Sequence, residues 1–208
     1  MILLGNLKMY QELEKEIKIL LTKEQYQKTM EYLSEQFLNR KEVTQMNYYI
    51  SNRMKHLSSG TTLRLRISDE VKRITIKKTL IHDFEKTSAE FHIDCSEEES
   101  AEIIKNGISK SNMERIFNEI CVPLNLEETD HLTILGNLET QRTIFWDNPK
   151  TIYILDLNTY LSRCDYEFEL ESSYPMDDIK KLHDYFESIG VEKKISKSKF
   201  KRFLDFEE

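Results

Sequence analysis

Polar and apolar positions along the chain follow two periods, and the switches between them mark its elements. Residues 13–21, Leu-Glu-Lys-Glu-Ile-Lys-Ile-Leu-Leu, alternate and end in an apolar run, which predicts a strand. Thr22 with Gln25 three residues on is a capping box, and Tyr26, Met30, Leu33 and Phe37 then recur at helical spacing. A second strand is predicted over 43–50 and a turn at Ser58-Ser59-Gly60. Residues 61–67 and 74–78 alternate with period two on either side of Ser68-Asp69-Glu70, the pattern of a hairpin, and 88–94 is a further short strand. Ser96, with Glu99 three residues later, opens a helix to about Lys105; Met113, Ile116, Phe117 and Ile120 mark another helical face that stops before Pro123. Residues 132–138, 140–146, 151–157 and 165–171 read as strands, punctuated by Gly136-Asn137, Asp147-Asn148-Pro149 and a longer connection. The last helix opens at Asp177 and Asp178, carries the stripe Met176, Ile179, Leu182, Phe186 and Ile189, and closes at Gly190. About eight strands in succession and about four helices predict a mostly antiparallel sheet or barrel, not a doubly wound fold.

Composition narrows the class without changing that picture. The chain has 208 residues, 32% charged and 39% hydrophobic, with 5 Gly and 3 Pro, which excludes a disordered or fibrous chain and fits a single domain over 1–208. No apolar run approaches the roughly 18 residues of a membrane span. Ile2-Leu3-Leu4 is too short for a signal-peptide core. A cytoplasmic protein with no membrane partner is expected. Cys95, Cys121 and Cys164 are odd in number and widely spaced, so free thiols are expected rather than a disulfide framework or a C-x-x-C metal site. A net charge of −7 makes nucleic acid a poor partner. Residues 1–9 carry no assigned role.

The informative feature is which charges share a strand face. Side chains two apart on a strand point the same way. Glu14, Glu16 and Lys18 therefore share one face, as do Arg64 and Arg66, Thr75 and Lys77, Glu90, His92 and Asp94, Thr140 and Arg142, and Glu167, Glu169 and Glu171. An ordinary one-sided sheet, charged outside and apolar inside, accounts for any one of these strands. The sorting by type, with carboxylates on two strands and Arg or Lys on several others, asks for more. Adjacent like charges cost energy unless something neutralises them. A metal–polyphosphate complex supplies both the cation and the anion. Asp156, in an apolar strand, is a candidate partner for an arginine.

Glu14-Lys15-Glu16-Ile17-Lys18 is an ExExK string, and Leu63-Arg64-Leu65-Arg66, Thr75-Ile76-Lys77-Lys78, Glu90, Arg142, Glu167-Phe168-Glu169 and a closing basic segment from Lys197 to Phe203 follow it in order. This series resembles the CYTH superfamily, the triphosphate tunnel metalloenzymes, over roughly residues 12–204. It is most similar to the branch of YjbK-like triphosphatases, which shares the Asp165-Tyr166-Glu167 stretch. The resemblance implies an α+β fold: a closed eight-stranded antiparallel β-barrel with helices packed on its outside. It implies a hydrolase, a metal-dependent triphosphatase using Mg2+ or Mn2+. Two positions depart from the family pattern: His92 stands where a second glutamate is common, and Thr140 where a basic residue is common.

On this reading Glu14, Glu16, Lys18, Arg64 and Arg66 are the catalytic candidates. Lys18, Arg64, Arg66, Lys77, Arg142, Lys197, Lys199 and Arg202 are candidates to hold a small-molecule triphosphate, and Glu14, Glu16, Glu167 and Glu169 to hold the metal. Arginine forks and lysine point charges suit phosphate, and hard carboxylate oxygens suit Mg2+. Glu90 and Glu171 are expected as further ligands or as salt-bridge partners of the arginines. Inorganic triphosphate is the leading substrate. Thiamine triphosphatase and adenylate cyclase are alternatives on the same fold, a non-catalytic polyphosphate or nucleotide sensor is another, and a scaffold that forms a homodimer through an outer face is a third.

Overall fold

The computed structural model describes residues 9–51, 60–109, 111–114, 132–192 and 194–205. The first strand, β1 (Met9–Leu21), begins four residues before the alternating run, and Thr22 then caps α1 (Lys23–Gln36). The capping box forms as its sequence dictates: the Gln25 N–H donates to Thr22 Oγ1 at 3.2 Å and the Thr22 N–H to Gln25 Oε1 at 2.9 Å. After β2 (Asn39–Ser51), the hairpin β3 (Thr61–Ser68) and β4 (Lys72–Ile81) pairs Arg64 with Thr75 and Thr62 with Lys77. Then come β5 (Glu85–Asp94) and α2 (Glu97–Asn106), the latter opened by the Ser96–Glu99 capping box.

The second half corrects the sequence reading in three places. The segments 132–138 and 140–146 are one strand, β6 (Thr133–Asn148), which runs through Gly136 and Asn137, pairs with β7 from Glu139 onward and has β2 as its other neighbour. Strands β7 (Thr151–Tyr160) and β8 (Arg163–Ser172) are longer than the alternating runs, and the expected long connection is the two-residue turn Leu161-Ser162. Both turn residues take positive φ, 46° and 61°. That geometry suits the twist of a two-residue hairpin, although the Asn-Gly signal is missing. The last helix starts at Pro175 and is divided into α3 (Pro175–Asp178), a 3-10 turn (Ile179–Leu182) and α4 (His183–Ser188). Ile179, Leu182 and Phe186 are buried as expected, but Met176 is exposed. Helix α5 (Lys199–Leu204) closes the described chain. Residues 111–114 are helical. The rest of the helix expected after Met113, and Ser58-Ser59 of the expected turn, lie outside the described residues.

The eight strands close into an antiparallel barrel in the order β1-β5-β4-β3-β2-β6-β7-β8. The chain forms two compact units, residues 1–12, 46–78 and 89–138, and residues 13–45, 79–88 and 139–208. The first has a core built from Ile50, Leu63, Leu65, Ile74, Ile76 and Ile93 with Ile103 of α2. The second packs Ile17, Ile19, Phe145, Leu155, Phe168 and Leu170 against Leu33 of α1 and against Leu182 and Phe186. In each unit strand alternation sends the polar side chains to the face turned away from that core. In the second unit that face is buried: Asp156 and Glu167 are 0% exposed, and Glu16 and Glu169 1%.

Candidate active site

In the second unit the register of β8 sets the chemistry. Glu16 of β1 lies opposite Glu171, Lys18 opposite Glu169, and across the other edge Asp156 of β7 lies opposite Glu167. Two like-charge cross-strand pairs result, Asp156/Glu167 fully buried and Glu16/Glu171 with only Glu16 fully buried, an arrangement that costs stability unless a cation joins it. The pair Asp156/Glu167 has one: Lys199 of α5 donates to Asp156 at 2.7 Å, to Glu167 at 2.6 Å and also to Glu169. Arg142 forks onto Asp156 at 2.8 and 2.7 Å and reaches Glu169 at 2.8 Å. Arg202 bridges Asp165 at 2.9 Å and Glu167 at 2.7 Å. Lys18 joins Glu16 and Glu169, each at 2.7 Å.

Glu14, Glu16 and Glu171 form the other group. Its carboxylate oxygens lie within 4.8 Å of one another, as do those of Asp156, Glu167 and Glu169. Burial pushes Glu171 well above the usual carboxylate range, Glu14, Glu169 and Glu16 push the same way, and Arg142 opposes them. Glu169 goes the other way: against the cost of burial, Lys18, Lys199 and Arg142 hold it well below the usual range. Burial raises Glu167 despite Lys199 and Arg202. A hard divalent cation fits this donor set, because convergent carboxylate oxygens are its preferred ligands and the crowding of carboxylates that raises Glu171 is what a cation would relieve.

The first unit presents the basic residues. Lys77 pairs with Glu90 at 2.9 Å and Arg64 approaches it at 3.7 Å. Burial works against the charge of Glu90, but Lys77, Arg64 and Arg66 hold its carboxyl down at about 2. Glu90 is therefore a salt-bridge partner of the basic residues. Arg66 Nε donates to Asn47 Oδ1 at 2.9 Å. Arg64 Nε is buried with no hydrogen-bond partner among the described residues, a donor left for an acceptor from outside. His92 lies 3.2 Å from Thr75 Oγ1 through Nδ1 and 3.6 Å from both Glu90 and Glu12 through Nε2. Burial lowers it to about 4, with Arg73, Arg64 and Arg66 acting the same way and Glu90 opposing. It is a neutral imidazole at pH 7.

The expected residues thus fall into defined sets. Glu14 and Glu16 group with Glu171, while Glu167 and Glu169 group with Asp156, around Lys18, Arg142, Lys199 and Arg202. Lys197 is not brought to them: its side chain is exposed and pairs with Asp205 at 2.7 Å. The spacing held a signal for this. Lys199 and Arg202 stand three apart on one helical face, whereas Lys197 precedes the cap residue Ser198. Thr140 donates to Asn158 at 2.8 Å and so adds no charge. Sequence reasoning missed the weight of Asp156, and also Asn47 and Tyr10, whose ring lies 4.9 Å from that of His92.

The closed antiparallel barrel thus carries acidic and basic side chains sorted by strand on its non-core faces. The model of the CYTH domain matches residues 12–204, and the chain belongs to that family. Among solved structures, a Hippeastrum protein, provisionally an adenylyl cyclase and described as having a dominant triphosphatase activity, is 23% identical with a TM-score of 0.75, over 93% of this chain and 96% of its own. A Bacillus halodurans protein assigned provisionally as an adenylate cyclase is 20% identical with a TM-score of 0.71, over 93% and 98%. The triphosphatase of the Mimivirus capping enzyme is 9% identical with a TM-score of 0.51, over 84% and 88%. At these identities the likeness is one of fold. No curated protein matches the chain in sequence. Among the described residues, no helix is long and apolar enough to cross a membrane.

Proposed function

We propose that the protein is a metal-dependent triphosphatase that cleaves inorganic triphosphate to phosphate and pyrophosphate with one water. The observation that carries the reading is the opposition of buried Glu16 to half-buried Glu171 with half-buried Glu14 beside them, three carboxylates whose ligand atoms converge and to which Lys18 adds one positive charge. Glu14, Glu16 and Glu171 would hold Mg2+ or Mn2+, with Glu167 and Glu169 as further carboxylates. The metal would neutralise phosphate oxygens and polarise the anhydride.

The chain's own groups do the rest. Arg64, Arg66 and Lys77 hold phosphate oxygens, and the unpartnered Arg64 Nε is the donor most plainly waiting for one. Lys18 pairs with Glu16 and Glu169 at 2.7 Å each and orients both, and it helps hold Glu169 well below the usual carboxylate range. Arg142 and Arg202 fix the acidic strand through Asp156, Glu169, Asp165 and Glu167. Phosphoryl transfer asks little more of a protein than such positioning and charge neutralisation. The similarity to proteins described as triphosphatases and adenylate cyclases supports an anhydride-cleaving or cyclising reaction.

The experiment is phosphate release from tripolyphosphate, with Mg2+, Mn2+ or EDTA, beside ATP and thiamine triphosphate. Metal-dependent release confined to tripolyphosphate upholds the proposal. Turnover of only ATP or thiamine triphosphate replaces the substrate. EDTA-resistant binding without turnover replaces the enzyme with a sensor.

A further inference from the structure

Every cation of the acidic group is engaged by carboxylates. The Arg142 fork is spent on Asp156 and Glu169, Lys18 on Glu16 and Glu169, and Arg202 on Asp165 and Glu167. Lys199 is the extreme case. An ammonium has three N–H bonds. All three go to carboxylates, those of Asp156, Glu167 and Glu169. None remains for a phosphate. The oxygens of those three side chains lie within 4.8 Å of one another, and what they enclose is the ammonium. Burial disfavours its charge, yet Asp156, Glu167 and Glu169 raise its pKa above the ordinary lysine value.

The lysine is delivered by a strap. Lys86 Nζ, itself buried, donates to the Ser196 carbonyl at 2.6 Å, and Ser196 Oγ donates to the Lys18 carbonyl at 3.2 Å. Ser198 then caps α5, accepting from the Lys201 N–H at 3.2 Å, and Arg202 anchors the helix on Asp165. Lys199 thus enters the carboxylates on a fixed helix but at the end of a flexible four-carbon stem. The stem can turn without the helix leaving.

We propose that Lys199 is an exchangeable internal counter-ion: its ammonium and a divalent cation are alternative partners of Asp156, Glu167 and Glu169, and its release is what makes it available to a phosphate. This rests on the metal-dependent reading above for the nature of the cation. Stripping three buried carboxylates of the one cation that, among the described residues, all three share is strongly unfavourable. The ammonium therefore leaves only as another cation arrives, and the two events are one exchange. A doubly charged ion with hard oxygen ligands has the advantage at the carboxylates. The freed ammonium is then matched by the anion that accompanies the metal. The lysine so guards the acidic group against loss of charge balance in the absence of substrate.

The test uses the metal-free full chain and Mn2+ alone, with no triphosphate present. Affinity is read by calorimetry or by the electron paramagnetic resonance of free Mn2+. Lys199→Met keeps the stem and removes the competitor, so Mn2+ binds about tenfold more tightly or better than to the unaltered protein. Lys199→Arg keeps the charge and brings no such gain. Equal or weaker Mn2+ binding by Lys199→Met overturns the proposal. If that variant does not fold, acetylation of Lys199 in the unaltered protein is followed by mass spectrometry, with exposed Lys197 as the internal reference. Several-fold faster modification of Lys199 on adding Mn2+ supports the exchange; unchanged or slower modification overturns it. Because no triphosphate enters, a failed triphosphatase assay leaves this result standing.

Discussion

Asp156 sits where three strands and the last helix share charge, and replacing it tests whether the acidic group is held as described. Asp156→Asn keeps the shape and removes the charge. The side chain is wholly buried and accepts from Arg142 at 2.8 and 2.7 Å and from Lys199 at 2.7 Å. In the variant an amide NH2 or a single carbonyl must face these donors. Breaking a buried ion pair by changing one partner costs about 3–5 kcal/mol. Arg142 keeps Glu169, and Lys199 keeps Glu167 and Glu169, so the lower end applies, about 3 kcal/mol. For a chain of this length that is a fall in Tm of about 6–12 °C. Urea unfolding followed by circular dichroism measures it. Asp177→Asn, which breaks only the exposed pair with Lys180, is the control and leaves the midpoint where it was. A double-mutant cycle with Lys199→Met adds the specific check: the two changes couple by about 1 kcal/mol or more, because each removes the other's partner. A loss below about 1 kcal/mol for Asp156→Asn, with no coupling, refutes the account of a buried, mutually neutralised group.

Other predictions follow from the same geometry. Glu16→Gln abolishes metal-dependent turnover while leaving the fold intact by circular dichroism; undiminished activity sinks the metal assignment. Asn47→Leu removes the acceptor that orients Arg66 Nε and raises KM for tripolyphosphate several-fold more than it lowers kcat, whereas equal effects on both would point to a general structural fault. His92 imposes a pH dependence of known sign. Its folded value, about 4, lies below the ordinary value of 6.5, so the unfolded chain takes up the proton first. The stability tied to the neutral ring is whole above pH about 6.5 and is lost as the pH falls through about 4, on the order of 2 kcal/mol after solvent screening. The difference between the pH–stability curves of the unaltered protein and His92→Gln isolates it; parallel curves from pH 7 to 4 contradict the burial and arginine effects.

Much of the fold is legible in the sequence because its signals are local. The two capping boxes, the period-two runs and the sorted charges are each read within one element, and each reappears in the structure. What is not legible depends on partners. The β2 strand reaches back to Asn39 and β6 runs through Gly136 because pairing with a neighbouring strand extends a strand beyond its alternating stretch. The Leu161-Ser162 turn gives no composition signal, since positive φ is imposed by the hairpin it joins. At the site, Glu16 and Glu169 are recognisable from their strings, but the opposition of Glu16 to Glu171 is a matter of register between the first and last strands. Asp156 hides among Ile154, Leu155 and Leu157, and its importance appears only when Arg142, Glu167 and Lys199 are brought to it.

That register also governs how the chain is made. The barrel closes by pairing β1 with β8, so Lys18 must wait for Glu169, and the tie between Lys18 and Ser196 spans 178 residues. During synthesis from the N-terminus, β1 emerges with its β8-pairing edge and its Glu-rich face unmet until Arg163–Ser172 has left the ribosome. Long-range closure of this kind is slow and leaves open strand edges in the meantime. Lys15, Lys18 and the glutamates of β1 then act as gatekeepers on an otherwise adhesive strand. The charges buried in the finished barrel also keep the unfinished chain from pairing with its neighbours.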